Sequence, residues 1–343
     1  MNRFWAIFRA RNIEFYRDKG AFGWAIVFPL LIIFGCAIAF SKPDNSVVTI
    51  GYWGDDALLN ALPLSQESYA KFQKVKSLDS GKYQIQHHQL DLLLAGSEND
   101  SAITYWVNQE SPASKAARQL LLASNQSAPE QANLQEQALS GRAVRYVDWV
   151  MPGVLGMNMM FASLFGVGYV IVRYRQNGVL KRLQATPVTA SQFISAQLAS
   201  RLLIVTGINS AIFLACYYLL DLLVLGNLFT LLLINATGAI ALLSVGLLVA
   251  SRTASEELAS GMLNVLTWPM MFFSQVWFSL ENSPQWMITL AQFLPLTHIV
   301  DGSRKVMIEG AGLAELAYPL TALGITTVFC VSAAAYLFRW SKD

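Results

Sequence analysis

Charged residues are missing from four long windows of this chain. Windows 20–41, 149–172, 258–280 and 316–338, bracketed by Lys19 and Lys42, Asp148 and Arg173, Glu257 and Glu281, and Glu315 and Arg339, hold no Asp, Glu, Lys or Arg for 22 to 24 residues each. About 20 apolar helical residues cross roughly 30 Å of hydrocarbon, and a charge at mid-bilayer costs a few kcal/mol, so each window predicts one spanning helix. A fifth window, between Asp221 and Arg252, continues the apolar run that follows Arg201, and Gly226-Asn227 supplies a turn dividing it into spans 202–225 and 228–250. Six spans result.

The segments between them have their own patterns. In residues 1–19, Phe4, Trp5, Phe8, Phe15 and Tyr16 fall on one side of a helix with Arg9 and Arg17 away from it, which predicts an interfacial amphipathic helix; the alternative is a frayed tail with incidental aromatics. Ala37-Ile38-Ala39 has the form of a signal-peptidase site, but the apolar run before it is longer than the usual 7 to 15 residues, so the segment reads as a retained span. Residues 42–146 carry short strand-like runs at 47–53, 83–87 and 102–107 and helix-like runs at 65–76 and 114–124, the pattern of a small α/β domain. Between residues 281 and 315, Pro284, Pro295 and Gly302 divide a half-apolar connection, and 286–293 is too short to span, so it predicts a re-entrant helix.

Composition agrees with this class. Apolar residues make up 54% of the 343, charged ones 13%, and mean hydropathy is +0.41, so the fold class is an α-helical membrane protein. It has six transmembrane helices, the N-terminal interfacial helix, and the α/β domain inserted between helices 1 and 2. A net charge of +2 offers no footprint for nucleic acid. Position matters more than the sum: Arg3, Arg9, Arg11, Arg17, Lys19, Arg173, Arg175, Lys181, Arg182, Arg201, Arg252, Arg339 and Lys342 fall on one side of the six-span layout, and the short loops of the other hold only Arg304 and Lys305. The positive-inside bias therefore predicts cytoplasmic termini and an extracytoplasmic 42–146 domain.

Candidate chemistry is sparse. His87-His88 would point to opposite faces of a strand, with no third ligand nearby, so no metal site is expected. Cys36, Cys216 and Cys330 lie inside predicted spans, where thiols act as small hydrophobes, and no disulfide framework is expected. Asp221 is the lone acid in a span, near its outer end, with a topological or pairing role favoured over a proton relay. Glu309 and Glu315 sit at the outer exit, as gate or as solvated charges. Neither H-E-x-x-H nor a Ser–His couple occurs, which disfavours an intramembrane enzyme.

The basic segment 173–200 is the most pointed feature. Residues 173–185 can stay helical, with Val179, Leu180 and Leu183 making an apolar stripe beside Lys181 and Arg182. Thr186-Pro187 breaks that helix, and Thr189 with Gln192 has capping-box spacing to start the next one. Such a lever docks a soluble partner, or else merely fixes topology.

Asp148-Trp149-Val150-Met151-Pro152-Gly153, then Gly178-Val179-Leu180-Lys181-Arg182-Leu183 and Ala185-Thr186-Pro187-Val188-Thr189, then Leu294-Pro295-Leu296-Thr297-His298 with Asp301 and Arg304, together resemble the permeases of type-2 ABC exporters. One span, a large extracytoplasmic domain and five further spans is similar to the layout of the bacterial drug-exporter-like branch. The resemblance implies a permease subunit of an exporter in the bacterial inner membrane, acting as a homodimer or with a close paralogue. It implies docking to two copies of an ATPase through 1–19, 173–191 and 251–258, with Arg175, Leu180, Lys181, Arg182, Leu183, Thr186, Pro187, Glu256 and Glu257 as coupling residues. A periplasmic adaptor is a further partner it allows, beside membrane lipid. No G-x-x-x-x-G-K-[ST] occurs, so this chain binds no cofactor of its own, and ATP and Mg belong on the partner. The second and fifth spans are implied as cavity walls, offering Met157, Asn158, Phe161, Asn264, Trp268, Met271 and Gln275 to an amphipathic or lipid-like cargo; ordinary helix packing is the competing explanation for each. Trp268-Pro269 is expected to kink the fifth span. From a different class, a membrane receptor whose outer domain senses a ligand fits the same layout.

Overall fold

The computed structural model describes residues 3–39, 48–54, 70–87, 90–97, 100–109, 111–126, 133–139, 144–253, 255–280 and 283–337. Val47, residues 65–69, His88 and Glu281 lie outside them. The chain divides into two units, Met1–Phe40 with Tyr146–Asp343, and Ser41–Arg145.

The first unit opens with α1 (Arg3–Arg17) and α2 (Lys19–Ala39). On α1, Phe4, Ile7, Phe8, Asn12 and Phe15 are half-buried, whereas Trp5 and Tyr16 are exposed. The expected single aromatic side is therefore split. A step of about 100° per residue carries Trp5 and Tyr16 around from their neighbours Phe4 and Phe15.

The second unit is a five-stranded sheet with helices on both faces: β1 (Val48–Trp53), β2 (Ala70–Lys74), α3 (Leu78–Gln86), β3 (Leu92–Ser97), β4 (Asp100–Asn108), α4 (Pro112–Gln126) and β5 (Asn133–Leu139), in strand order β2-β1-β3-β4-β5. β1 pairs in parallel with β2 and β3, β4 runs antiparallel to β3, and β5 runs parallel to β4. Alternation sorts the side chains: Ile50, Tyr52, Leu92, Leu94, Ile103, Tyr105 and Val107 pack with Ala117 and Leu121 of α4, while Leu93, Ala95 and Trp106 pack with Ile85 of α3. Two expectations are overturned. The strand proposed at 83–87 is the end of α3, which Ser77 caps by accepting from the Ser80 amide at 3.2 Å; burial of Gly81 and Ile85 at helical spacing outweighed a short alternating run. Of the helix proposed at 65–76, residues 70–74 form β2, because pairing with β1 overrides local propensity.

The first unit resumes with α5 (Tyr146–Gln176), whose middle, Leu164–Tyr169, is a π-helical turn. It continues through α6 (Val179–Gln184), α7 (Ala190–Leu220), α8 (Leu228–Arg252), α9 (Glu256–Phe273), α10 (Gln285–Gln292), α11 (Pro295–Arg304) and α12 (Ala317–Leu337). Among the described residues five helices, α2, α5, α7, α8 and α12, are long and apolar enough to cross a membrane. The expected sixth, 258–280, is helical only to Phe273, and Ser274 ends it. Glu256 and Glu257 at the start of α9, with Asn264 and Pro269 inside it, dilute the hydropathy of that helix.

Two further boundaries move. Where a span was expected over 202–225, α7 ends at Leu220 because Asp221 adopts a left-handed conformation (φ 47°) that Asp tolerates better than most residues. At its other end α7 begins at Ala190, so only 177–189 of the expected 173–200 loop lies outside the long helices. Between 281 and 315, α10 lies largely exposed, with Trp286 at 62% and Phe293, which caps its end, at 78%, whereas α11 is buried along almost its whole length. The inward-packed element is therefore α11 and not 286–293. Pro295 at its first position starts it, and Leu296, Ile299 and Val300 fill the bundle.

α8 is the axis of the unit, packed against α5, α7, α11 and α12. Its contact with the π turn is backbone to backbone. A Cβ on Gly246 would come within 3.1 Å of the Leu164 carbonyl oxygen, and one on Gly168 within 3.1 Å of the Gly246 carbonyl oxygen.

Candidate partner-docking end and transport path

The loop after α5 is built as a rigid corner. Asn177 caps α5, Gly178 takes the left-handed conformation (φ 68°) that a glycine allows without strain, and α6 follows. Beyond Thr186-Pro187, the Thr189 side chain accepts from the Gln192 amide at 3.3 Å while Gln192 Oε1 accepts from the Thr189 amide at 3.3 Å, completing the capping box that starts α7. Of the loop's apolar stripe, Leu180 is fully buried against Val167, Ile171, Phe193, Leu243, Leu247 and Ala259, and Leu183 is half-buried beside it. Lys181, Arg182, Thr186 and Pro187 are exposed. Arg175 faces inward: its guanidinium donates to the carbonyls of Ala250 (2.9 Å), Thr253 (2.6 Å) and Ser251 (3.3 Å), capping the C-terminus of α8 where the helix dipole favours a cation. Arg175 and Leu180 thus hold the loop in place and present no side chain outward.

The short connection after α8 meets the same corner. Ser255 caps α9 by accepting from the Leu258 amide at 3.1 Å, Glu256 accepts from the Tyr169 hydroxyl, and Glu257 is exposed. From α1, Arg3 donates to the Pro187 carbonyl and Arg11 to the Tyr174 hydroxyl. Residues from 1–19, 173–191 and 251–258, far apart in sequence, are joined by these bonds at one end of the bundle.

The residues proposed for the transport path do not gather. Met157 and Met271 are buried in helix packing, and Phe161 is half-buried. Asn158 donates to Asn209 Oδ1 at 2.9 Å, and Asn209 in turn donates to the Leu155 carbonyl at 3.1 Å, so the pair ties α5 to α7. Asn264 and Trp268 are exposed on α9, on a face that also shows Leu258, Met262, Val265 and Phe272; Asn264 donates back to the Ser260 carbonyl at 2.9 Å. Gln275 is left-handed (φ 57°), and its carbonyl accepts from Arg304 at 2.6 Å. A cavity of about 180 Å³ lies elsewhere, between Pro152 and Leu155 of α5, Thr206, Asn209 and Phe213 of α7, Leu231 and Asn235 of α8, and Ser303 and Met307. None of the seven path residues lines it. The signal for it was the set of polar residues inside otherwise apolar runs, Asn209 and Asn235.

At the opposite end of the bundle two distant motif blocks converge. Asp148, buried at the start of α5, accepts from the Leu223 amide at 3.0 Å. Arg304 lies 3.7 Å from the centroid of the Trp149 ring and donates to the Trp149 carbonyl at 3.0 Å as well as to Gln275. Thr297 donates to Ser274 at 2.9 Å, and a ring nitrogen of His298 meets the Gln292 carbonyl at 2.8 Å. The block at 148–153 and the block at 294–304 are one lock closing α5, α9 and α11 together.

Comparison with known proteins places this architecture. The chain is 22% identical over 194 residues to a protein named probable multidrug ABC transporter permease YbhR of Escherichia coli (strain K12), covering 57% of this chain and 53% of that one. It is 25% identical over 183 residues to linearmycin resistance permease protein LnrN of Bacillus subtilis, 52% of this chain and 45% of that one. With ABC transporter G family member 20 of Dictyostelium discoideum it shares 24% over 170 residues, 49% of this chain and 23% of the other. The matched stretches span about half or less of these relatives' own length. A family model described as "ABC-2 family transporter protein" matches residues 19–336, taking in all five long apolar helices and the motif blocks above, and the chain belongs to that family as a multi-pass type-2 ABC transporter permease.

Proposed function

We propose that this chain is the non-catalytic permease subunit of an ATP-driven exporter, worked by two copies of a separate ABC ATPase and completed by a second copy of itself or a close paralogue. The observation that carries the reading is the corner at 177–189. Its exposed side offers Lys181, Arg182, Thr186 and Pro187, while its inner side is fastened to the bundle by Leu180 and Arg175. A push on the outside of such a corner is delivered to the end of α8 and to α5, which is what a rocking transition between two packed states requires. ATP and Mg bind the partner. The names of two relatives, multidrug and linearmycin resistance permeases, support an amphipathic cargo. The exposed face of α9, with Asn264 and Trp268, is the surface this reading assigns to the path between two copies.

The test is reconstitution of the full chain with its ATPase. Reversing Lys181 and Arg182 to Glu should leave the permease folded and weaken ATPase association by about tenfold or more. Unchanged association, or a purified complex with no nucleotide hydrolase, overturns the reading and favours the receptor alternative.

A further inference from the structure

Between α1, α5 and α7 lies a group of polar side chains that the transport reading does not use. Arg11 sits on the inward side of α1 at 4% exposure. Its Nη1 donates to Glu14 at 2.6 Å and to the Tyr174 hydroxyl, and the guanidinium lies 4.9 Å from the centroid of the Tyr174 ring. Its Nε and Nη2 are buried without a hydrogen-bond partner among the described residues. Arg201 of α7 is half-buried, 5.3 Å from the centroid of the Phe15 ring, and rests against Gly166 of the π turn, where a Cβ would stand 3.4 Å from its Nε. Arg11, Glu14 and Tyr174 are near enough to act on it electrostatically. Gln197, one turn before Arg201 on the same side of α7, is fully buried with both amide atoms unpartnered among the described residues, as is the hydroxyl of Ser200.

Two guanidinium groups thus lie near one carboxylate, Glu14, which bonds Arg11 and is itself 56% exposed, so the buried Nε and Nη2 of Arg11 face no anion among the described residues. An excess positive charge held away from water is costly unless an anion joins it, and a guanidinium with free N–H groups is the side chain best shaped to hold phosphate oxygens. The other side of α1 says which anion. Trp5 (57% exposed), Ile13 (41%) and Tyr16 (58%) project outward as large apolar and amphipathic side chains of the kind that rest at a membrane–water interface, and α1 runs directly into the spanning helix α2. A soluble anion has no use for them.

We propose that Arg11 and Arg201 bind the phosphate of an anionic phospholipid, with Gln197 as a neighbouring donor, so that α1 is pinned to the bundle through a lipid headgroup. On the expected topology the lipid is one of the cytoplasmic leaflet. The proposal does not depend on the identity of the ATPase or the cargo.

Native mass spectrometry and thermal unfolding of the purified full chain test it, with phosphatidylglycerol, phosphatidylcholine or inorganic phosphate added. The wild type should retain phosphatidylglycerol in preference to phosphatidylcholine and be stabilised by it. Arg201→Gln should reduce that preference by about tenfold, since it removes a charge-assisted contact, while Arg9→Gln and Arg17→Gln, on exposed positions of α1, should leave it within about twofold. If those two variants lose as much as Arg201→Gln, the attraction is diffuse surface charge and the proposal fails. If inorganic phosphate stabilises the wild type as well as phosphatidylglycerol does, the site takes a soluble anion and the proposal again fails. Should Arg201→Gln not fold, the wild type decides alone: no stabilisation by phosphatidylglycerol beyond phosphatidylcholine and phosphate overturns the site.

Discussion

At the end of the helical unit that carries α10 and α11, Asp148, Thr297, His298 and Arg304 are buried and each is bonded to another group of the same chain. At the end that carries α1 and α6, Lys181, Arg182 and Glu257 stand exposed, and Arg11, Gln197 and Ser200 keep buried atoms with no partner among the described residues. Both ends are rich in polar residues, so composition does not separate them. The difference lies in completion: one end is closed by its own backbone carbonyls and amides, the other retains groups with no partner among the described residues. A buried polar atom left unpaired costs about 1–3 kcal/mol, so a set of them in one place points to something that binds there.

Four substitutions press on this comparison, in order of expected effect on equilibrium unfolding in detergent. Leu180→Asp buries an unpaired carboxylate in the cluster that anchors α6 and should cost roughly 3 kcal/mol or more; a loss below about 1 kcal/mol would mean that α6 is not fastened as described. Arg304→Met removes both bonds of the lock and leaves the Trp149 and Gln275 carbonyls without it, a loss of roughly 2–4 kcal/mol; a neutral outcome would erase the distinction between the ends. Gly246→Ala adds a methyl group against the Leu164 backbone midway between them and should cost roughly 1–3 kcal/mol. Replacing Lys181 and Arg182 together with Ala should stay within about 0.5 kcal/mol, because neither side chain is buried; a larger loss would show that the exposed side of the corner already serves the fold.

Some of this was legible beforehand and some was not, for reasons that differ residue by residue. The Thr189–Gln192 capping box is local, a spacing of three residues that forms whatever surrounds it, and it is made as expected. Arg175 read as a docking cation because its charge is visible and its three carbonyl partners, at 250, 251 and 253, are 75 to 78 positions away. Gln275 read as a path residue because it lies in the fifth span, which the resemblance implied as a cavity wall, while its left-handed backbone and its bond to Arg304 depend on α11. The strand β2 was hidden inside a stretch of helix-like residues because its partner β1 is 22 residues upstream in register. The burial of α11 was hidden too, since its polar residues Thr297, His298 and Arg304 dilute the apolar signal that they in fact serve by satisfying one another's neighbours.

What the residues alone determined is the class: a charge in hydrocarbon is so costly that charge-free windows mark the five long apolar helices without knowledge of any contact, although the window 258–280 yields a helix that ends at Phe273. The family match over 19–336 takes in the short blocks at 148–153, 178–189 and 294–304. Which side of each helix faces inward, which charges are satisfied and which are left over, was decided only when distant segments met. Hydrogen bonds act over about 3 Å, and the chain order of Asp148, Arg175, Arg201 and Arg304 says nothing about what lies that close to each.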